Sequence, residues 1–171
     1  MATRFLADYD LNQLKEKLNS IIEVKNEDNV KTHLRQTLLF KDEGLVSGTI
    51  NNESFKIWTH EQGRSGVTGI FYPIIEGLPR KLSGGLEIEF KSKMNIIGRT
   101  IFLLIIIGVG YVITTGIIIQ EDNDIQFLIP RFLIGAVLFG LFISLPTFIH
   151  IRTSRITKQY LVKELGLKIN K

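Results

Sequence analysis

Apolar residues dominate two stretches in the second half of the chain, residues 101–119 and 132–149. The stretches hold 19 and 18 residues, and neither contains a charged side chain. A helix that rises about 1.5 Å per residue needs about 20 apolar residues to cross a hydrocarbon core of about 30 Å. The pattern therefore predicts a transmembrane hairpin over residues 96–150, with helices at 96–119 and 128–149 and an external loop at 120–127. The alternative is a pair of buried helices in a soluble domain.

The first half of the chain opens with a helical period. Leu14 and Leu18 lie on one face of a predicted amphipathic helix that ends near Val24. Asp10 precedes this helix and Gln13 follows three positions later, which is the spacing of a capping box. Residues 30–40 are ambiguous, because their apolar positions fit either a second helix or an extended lead-in to a strand.

From residue 45 onward the period changes to two. Four strands are predicted, at residues 45–50, 54–59, 70–75 and 86–91. Pro73 favours an edge or a bulge for the third strand. The elements predict an α+β fold, in which residues 1–95 form a small antiparallel sheet of four or five strands with one or two N-terminal helices. The hairpin and a short basic C-terminal helix at residues 151–171 follow this domain.

Charge gives the hairpin a direction. Residues 1–95 are neutral, with 13 Lys and Arg against 13 Asp and Glu, whereas residues 150–171 carry six bases and one acid. Since short flanks rich in Lys and Arg stay in the cytoplasm, both ends are predicted to lie inside, with the chain in the inner membrane. The formal charge of +4 thus lies in the membrane flanks, which argues against nucleic-acid binding.

The basic flanks also predict contacts with anionic lipid headgroups, so that the bilayer is the first expected partner. The residues concerned are Lys91, Lys93, Arg99, Arg152, Arg155 and Lys158. Only residues 92–95 separate the last predicted strand from the first predicted membrane helix. Because four residues span at most about 14 Å, the sheet is expected to lie close to the membrane.

Small residues mark one face of each predicted membrane helix. Ala136, Gly140 and Ser144 recur every four positions in the second, and Gly110 and Thr114 form a similar face in the first. Such faces let helix backbones approach closely. The favoured interpretation is that the two helices of one chain pack through them, and the alternative is that they build a homo-oligomer.

Candidate chemistry is sparse in the sequence. The chain has no cysteine, which excludes disulfides and cysteine-ligated metals. The glycine-rich residues 63–69 lack the Lys-Ser/Thr ending of a P-loop and are predicted to form a mobile loop, although Arg64 within it remains a candidate contact for an anion or partner. The acids of residues 120–127 are expected to form a solvated turn rather than a metal site. No catalytic, metal or cofactor site is predicted.

Four short motifs carry a resemblance to a known group of proteins. They are Ser54-Phe55-Lys56-Ile57, Phe71-Tyr72-Pro73-Ile74-Ile75-Glu76-Gly77, Gly84-Gly85-Leu86-Glu87-Ile88 and Lys93-Met94-Asn95 before a membrane span. In this order the chain resembles small uncharacterised bacterial two-span membrane proteins with an N-terminal β-rich cytoplasmic domain. The resemblance implies the same architecture and brings no activity. Arg-rich residues that often precede the proline in that group are absent here, so an anion-binding role at that position is not carried over.

Three functional classes follow from these patterns. The favoured one is a membrane-anchored, non-enzymatic binding module or complex subunit whose cytoplasmic sheet recognises a protein or ligand. Trp58 would contact that partner if Phe55 and Ile57 face the core, and the alternative is a packed Trp. The second class is a signal-gated oligomeric effector that permeabilises the membrane, of the bacterial toxin or immunity type. An enzyme ranks last, because no nucleophile and base can be assembled from the sequence.

Overall fold

The structure is a computed structural model that describes residues 3–39, 41–42, 44–59, 70–118 and 125–169. The elements follow one another in the chain as β1 (Thr3–Ala7), α1 (Leu11–Ile21), β2 (Val24–Lys25), α2 (Val30–Leu39), β3 (Val46–Ile50), β4 (Phe55–Thr59), β5 (Pro73–Leu82), β6 (Gly85–Met94), α3 (Ile96–Ile118), α4 (Ile125–Leu165) and β7 (Lys168–Ile169). The predicted α+β class is confirmed.

The strands form one mixed sheet in the order β2-β3-β4-β5-β6-β1-β7. All neighbours are antiparallel except β2 and β3, so the prediction of a wholly antiparallel sheet is wrong at that pair. The four predicted strands are present as β3 to β6, and three unpredicted strands enlarge the sheet. Strand β5 lies in the middle of the sheet rather than at an edge, and Pro73 is its first residue. A proline is tolerated at the first residue of a strand.

Both faces of the sheet are covered. On one face, α1 and the end of α4 pack on a core that includes Phe55, Ile57 and Ile75. On the other face, a smaller cluster of Trp58, Tyr72 and Ile74 lies under α2. Because side chains alternate along a strand, β4 and β5 supply large residues to both clusters.

The start of α1 is capped as predicted. The Asp10 carboxylate accepts a hydrogen bond from the Gln13 backbone N–H at 2.9 Å, and the Gln13 side-chain oxygen accepts one from the Asp10 backbone N–H at 3.0 Å. Both halves of the capping box are therefore formed. The helix ends at Ile21, slightly earlier than expected, because the chain then turns extended to form β2.

Two helices are long and apolar enough to cross a membrane, over Ile96–Thr115 and within Leu133–Leu165. Their apolar side chains are mostly exposed: Leu104 is 62% exposed and Val137 is also 62% exposed. Buried helices of a soluble domain would hide such residues in a core. Helix α4 is described from Ile125, earlier than the predicted start at 128, and most of the predicted external loop, with its acids, lies outside the described residues.

The prediction of a separate basic helix after residue 150 is wrong. Helix α4 continues without a break from Ile125 to Leu165, a length of about 60 Å at about 1.5 Å per residue. Leu161 and Leu165 are fully buried in the main core, so the end of this helix is part of the folded domain. Gly166 then stops the helix with a positive φ of 64°, and the Leu167 N–H donates to the Val162 carbonyl at 2.9 Å. This is the Schellman pattern of a helix end.

The small-residue faces do not pair α3 with α4. Close contact between these helices instead involves Gly135, where an added Cβ would lie 3.2 Å from the Ile113 side chain. At Gly110 and Gly140 an added Cβ would meet no described atom within 4 Å, and Ala136 and Ser144 are also exposed. The favoured prediction that these faces join the two helices of one chain is therefore wrong. Oligomer formation through them stays a prediction.

Candidate functional site

Helix α2 turns its polar side inward and its apolar side outward. The four residues that it buries are Thr32, His33, Gln36 and Thr37. Its apolar residues are exposed instead, with Val30 at 53%, Leu34 at 44%, Leu38 at 61% and Leu39 at 72%. We call these four residues the leucine face. An exposed contiguous apolar surface of this kind marks interaction sites on folded proteins.

Gln36 is the centre of the contact between α2 and the sheet. Its side-chain oxygen accepts a hydrogen bond from Trp58 Nε1 at 3.0 Å and lies 3.3 Å from the Tyr72 hydroxyl oxygen. Its side-chain nitrogen donates to Ser47 Oγ at 3.1 Å. All four side chains are buried, and buried polar groups require partners. A polar residue of α2 therefore faces the sheet at this position, because a leucine here leaves the Trp58 N–H without its acceptor.

His33 extends this network toward the start of α2. Its Nε2 lies 2.9 Å from Asp28 Oδ1, and its Nδ1 lies 2.6 Å from the Tyr72 hydroxyl. An ionised carboxylate only accepts, so Nε2 donates to Asp28, and in a neutral ring Nδ1 then accepts from Tyr72. Burial raises the pKa of Tyr72 above its ordinary range, which keeps the hydroxyl protonated as a donor.

Asp28 ties this network to two strands. Its Oδ2 accepts from Lys56 Nζ on β4 and from Lys93 Nζ at the end of β6, both at 2.8 Å. The hydrogen bond from His33, followed by those from the two lysines, holds the pKa of Asp28 well below its usual range. The same carboxylate raises the pKa of Lys56. Asp28 is therefore charged at neutral pH and fixes the start of α2 against the sheet.

An Asp–His–Tyr chain can in principle pass a proton, as in acid–base catalysis. In this fold, however, His33 is fully buried and Tyr72 is 1% exposed, and their polar atoms bond to side chains of the same network. The geometry favours a structural role, in which the network holds α2 with its leucine face outward. Sequence analysis missed this network. The sequence signal for it was that β4 and β5 carry large side chains on both faces. Such strands must be covered by other elements on both sides of the sheet.

Asn95 joins the domain to α3 without a flexible linker. The side chain is fully buried, and its Oδ1 accepts from the Gly98 N–H at 2.8 Å as an N-cap. Its Nδ2 donates to the carbonyls of Ile70 at 2.7 Å and Tyr72 at 3.1 Å. Gly98 is required here, because an added Cβ would lie 2.6 Å from the Ile70 carbonyl oxygen. The first turn of α3 is therefore fixed to the sheet.

The predicted contact residues fall in four groups. Trp58 is fully buried under α2, so the expectation that it faces a partner is wrong and the packed alternative holds. Lys91 lies 3.5 Å from Glu89 and Lys93 bonds to Asp28, so both take part in ion pairs of the domain. The remaining described cations, Arg99, Arg152, Arg155 and Lys158, lie on α3 and α4, and Lys158 is half-buried. Arg64 lies outside the described residues.

The comparisons with known proteins give no relative. No protein-family model, no curated protein and no solved structure matches the chain. The resemblance to small two-span bacterial membrane proteins therefore stays a prediction, and the function has to be argued from the geometry.

Proposed function

We propose that the chain is a membrane-anchored, non-enzymatic binding subunit whose leucine face receives a partner protein. The observation that carries the proposal is the inverted α2, which exposes four apolar residues on a helix fixed by buried hydrogen bonds. A rigid apolar helix face is a typical docking surface for an amphipathic segment of another protein. Lys31 is exposed beside this face, so the partner segment is expected to carry acidic residues at its margin.

The attachment of the domain supports an anchor that positions this face. Helix α3 leaves the sheet at Asn95, and α4 returns to the core through Leu161 and Leu165. Both ends of the hairpin are therefore attached to the folded domain and lie on the same side of the hairpin as that domain. Because Arg99, Arg152 and Arg155 also lie at these ends, the positive-inside rule favours the cytoplasm for the domain and an inner-membrane location for the hairpin.

A photo-crosslinking experiment tests the partner. Leu34 is replaced by the photoreactive residue benzoyl-phenylalanine in the full chain, and membranes from cells of the source organism are irradiated. We expect an adduct whose mass exceeds the 19.5 kDa chain by that of one protein partner. The matched control places the same residue at Glu16, which is exposed on α1, and should give no adduct.

The outcomes of this experiment separate the possible occupants of the leucine face. An adduct of twice the chain mass identifies a homo-oligomer and contradicts a hetero-complex. Crosslinks to lipid alone at position 34 contradict a protein partner. Equal adducts at positions 34 and 16 show nonspecific collision and contradict a docking face on α2.

A second function, the signal-gated oligomeric effector, is favoured by the open face of Ala136, Gly140 and Ser144. If this face assembles hairpins into a pore, expression of the chain should release a dye from cells or from vesicles. Gly140→Leu should lower this dye release by about tenfold, because the larger side chain prevents close packing of the helices. Val137→Leu is the control, since Val137 is exposed on the same helix outside that face. Absence of release at every expression level contradicts the effector.

A further inference from the structure

A cleft of about 910 Å³ lies between the sheet and the part of α4 that follows the apolar stretch. One wall is a face of α4 on which residues recur every four positions, namely His150, Ser154, Lys158 and Val162. Phe5 of β1 and Ser92 of β6 belong to the opposite wall. The volume falls within the range of about 300–1,000 Å³ that is typical of small-molecule sites.

Two buried polar atoms in this lining have no protein partner. Ser92 Oγ and His150 Nδ1 are buried and form no hydrogen bond within the described residues. Buried hydroxyl and imidazole groups in folded proteins are normally paired. Both groups belong to the wall of the cleft. The Ser92 hydroxyl can donate to an oxygen atom of a ligand, whereas the His150 ring already bonds to the Phe71 backbone.

The charge of the cleft has one sign. Arg155, Lys158 and Lys163 line it, and none of the described lining residues is acidic. Across the described chain, no ion pair neutralises these three cations. Ile151 and Leu167 add apolar surface to the same cleft. Three cations together with an apolar wall fit an amphiphile that has an anionic head.

We infer that this cleft binds the phosphoryl headgroup of an anionic phospholipid, with the first part of an acyl chain against the apolar wall. The position favours a lipid over a soluble ligand, because α4 enters the cleft directly from its apolar stretch at Ile149. The inference rests on the membrane anchoring in the proposed function, and it does not depend on the protein partner at α2.

The test uses the purified full chain in detergent and native mass spectrometry with phosphatidylglycerol and phosphatidylcholine. We expect phosphatidylglycerol to bind at least about tenfold more tightly, since each basic residue near a headgroup contributes about a factor of five. Lys158→Gln should weaken phosphatidylglycerol binding by about fivefold, whereas Lys158→Arg should retain it. The matched control is Lys81→Gln, an exposed cation on β5 outside the cleft, with a change of less than about twofold.

Equal binding of the two lipids overturns the site. An equal loss of phosphatidylglycerol binding for Lys158→Gln and Lys81→Gln also overturns it. Displacement of phosphatidylglycerol by an equal concentration of inorganic phosphate assigns the cleft to a free phosphoryl anion and overturns the lipid. If Lys158→Gln fails to fold, Lys158→Arg and the comparison of lipids on the unsubstituted chain decide the question. Alkaline carbonate extraction of membranes tests the anchoring separately, so its failure is distinguishable from failure of the lipid site.

Discussion

Replacing Gln36 by leucine is expected to lower the free energy of unfolding by about 3 kcal/mol, although the substitution adds an apolar residue to a buried helix face. The side chain of Gln36 is fully buried, accepts from the Trp58 N–H and donates to Ser47 Oγ. Without its oxygen, the N–H of Trp58 loses its acceptor in a site that excludes water. An unsatisfied buried donor costs about 1–3 kcal/mol, and Ser47 also loses the hydrogen bond from the Gln36 side-chain nitrogen.

The matched control is Leu34→Gln on the same helix. Leu34 is 44% exposed, so the substitution should change the free energy of unfolding by less than about 0.5 kcal/mol. Thermal unfolding of the full chain in one detergent measures both variants. For a chain of this size about 2–4 °C correspond to 1 kcal/mol, so Gln36→Leu should lower Tm by about 6–12 °C. A larger loss for Leu34→Gln than for Gln36→Leu contradicts the described orientation of α2.

The case of α2 shows what periodicity can and cannot predict. The spacing of Val30, Leu34 and Leu38 fitted a helix, and the helix is present. Which face is buried depends on the surface opposite, and here the sheet offers the N–H of Trp58 and the hydroxyls of Tyr72 and Ser47. Those groups come from β3, from β4 and from the residue before β5, all outside α2, so the helix pattern by itself contains no information about them.

The strands of the sheet were predictable only where they are long enough to alternate. Strands β3 to β6 hold at least five residues each and show a period of two. Strand β1 also holds five, but its apolar residues Phe5, Leu6 and Ala7 are consecutive and do not alternate with polar ones. Strands β2 and β7 hold two residues each. A pair of residues has no period, and these strands exist because the chain around them brings them to a sheet edge. Tertiary context therefore decided the extent of the sheet.

The end of α4 was missed for a different reason. At residue 150 the sequence changes from wholly apolar to mixed, and this change in composition predicts the boundary of a tail. No glycine or proline interrupts residues 147–165, so nothing stops the helix there. Leu161 and Leu165 are four residues apart and already indicated an apolar face, which the structure places in the core.

The joint at Asn95 should be the most sensitive point between the sheet and the hairpin. Asn95→Ala is expected to lower the free energy of unfolding by about 3 kcal/mol, because it removes an N-cap and the side-chain N–H donors to the carbonyls of Ile70 and Tyr72. Asn95→Asp keeps the cap acceptor but places a carboxylate beside the carbonyl oxygens of Ile70 and Tyr72. The carboxylate repels the partial negative charges of these carbonyl oxygens and donates no hydrogen bond to them. Asn95→Asp should therefore destabilise the chain at least as much as Asn95→Ala.

The matched control for Asn95 is the N-cap of α2. Asn29 is exposed, and its Oδ1 accepts from the Thr32 N–H at 2.9 Å without contacts to distant carbonyls. Asn29→Ala should therefore cost only about 1 kcal/mol, the ordinary value of a cap. Thermal unfolding in detergent measures both, and limited proteolysis between the sheet and α3 shows whether the joint opens. Equal losses for Asn95→Ala and Asn29→Ala, with no new cleavage in the first, would mean that Asn95 only caps α3 and does not fix the hairpin to the sheet.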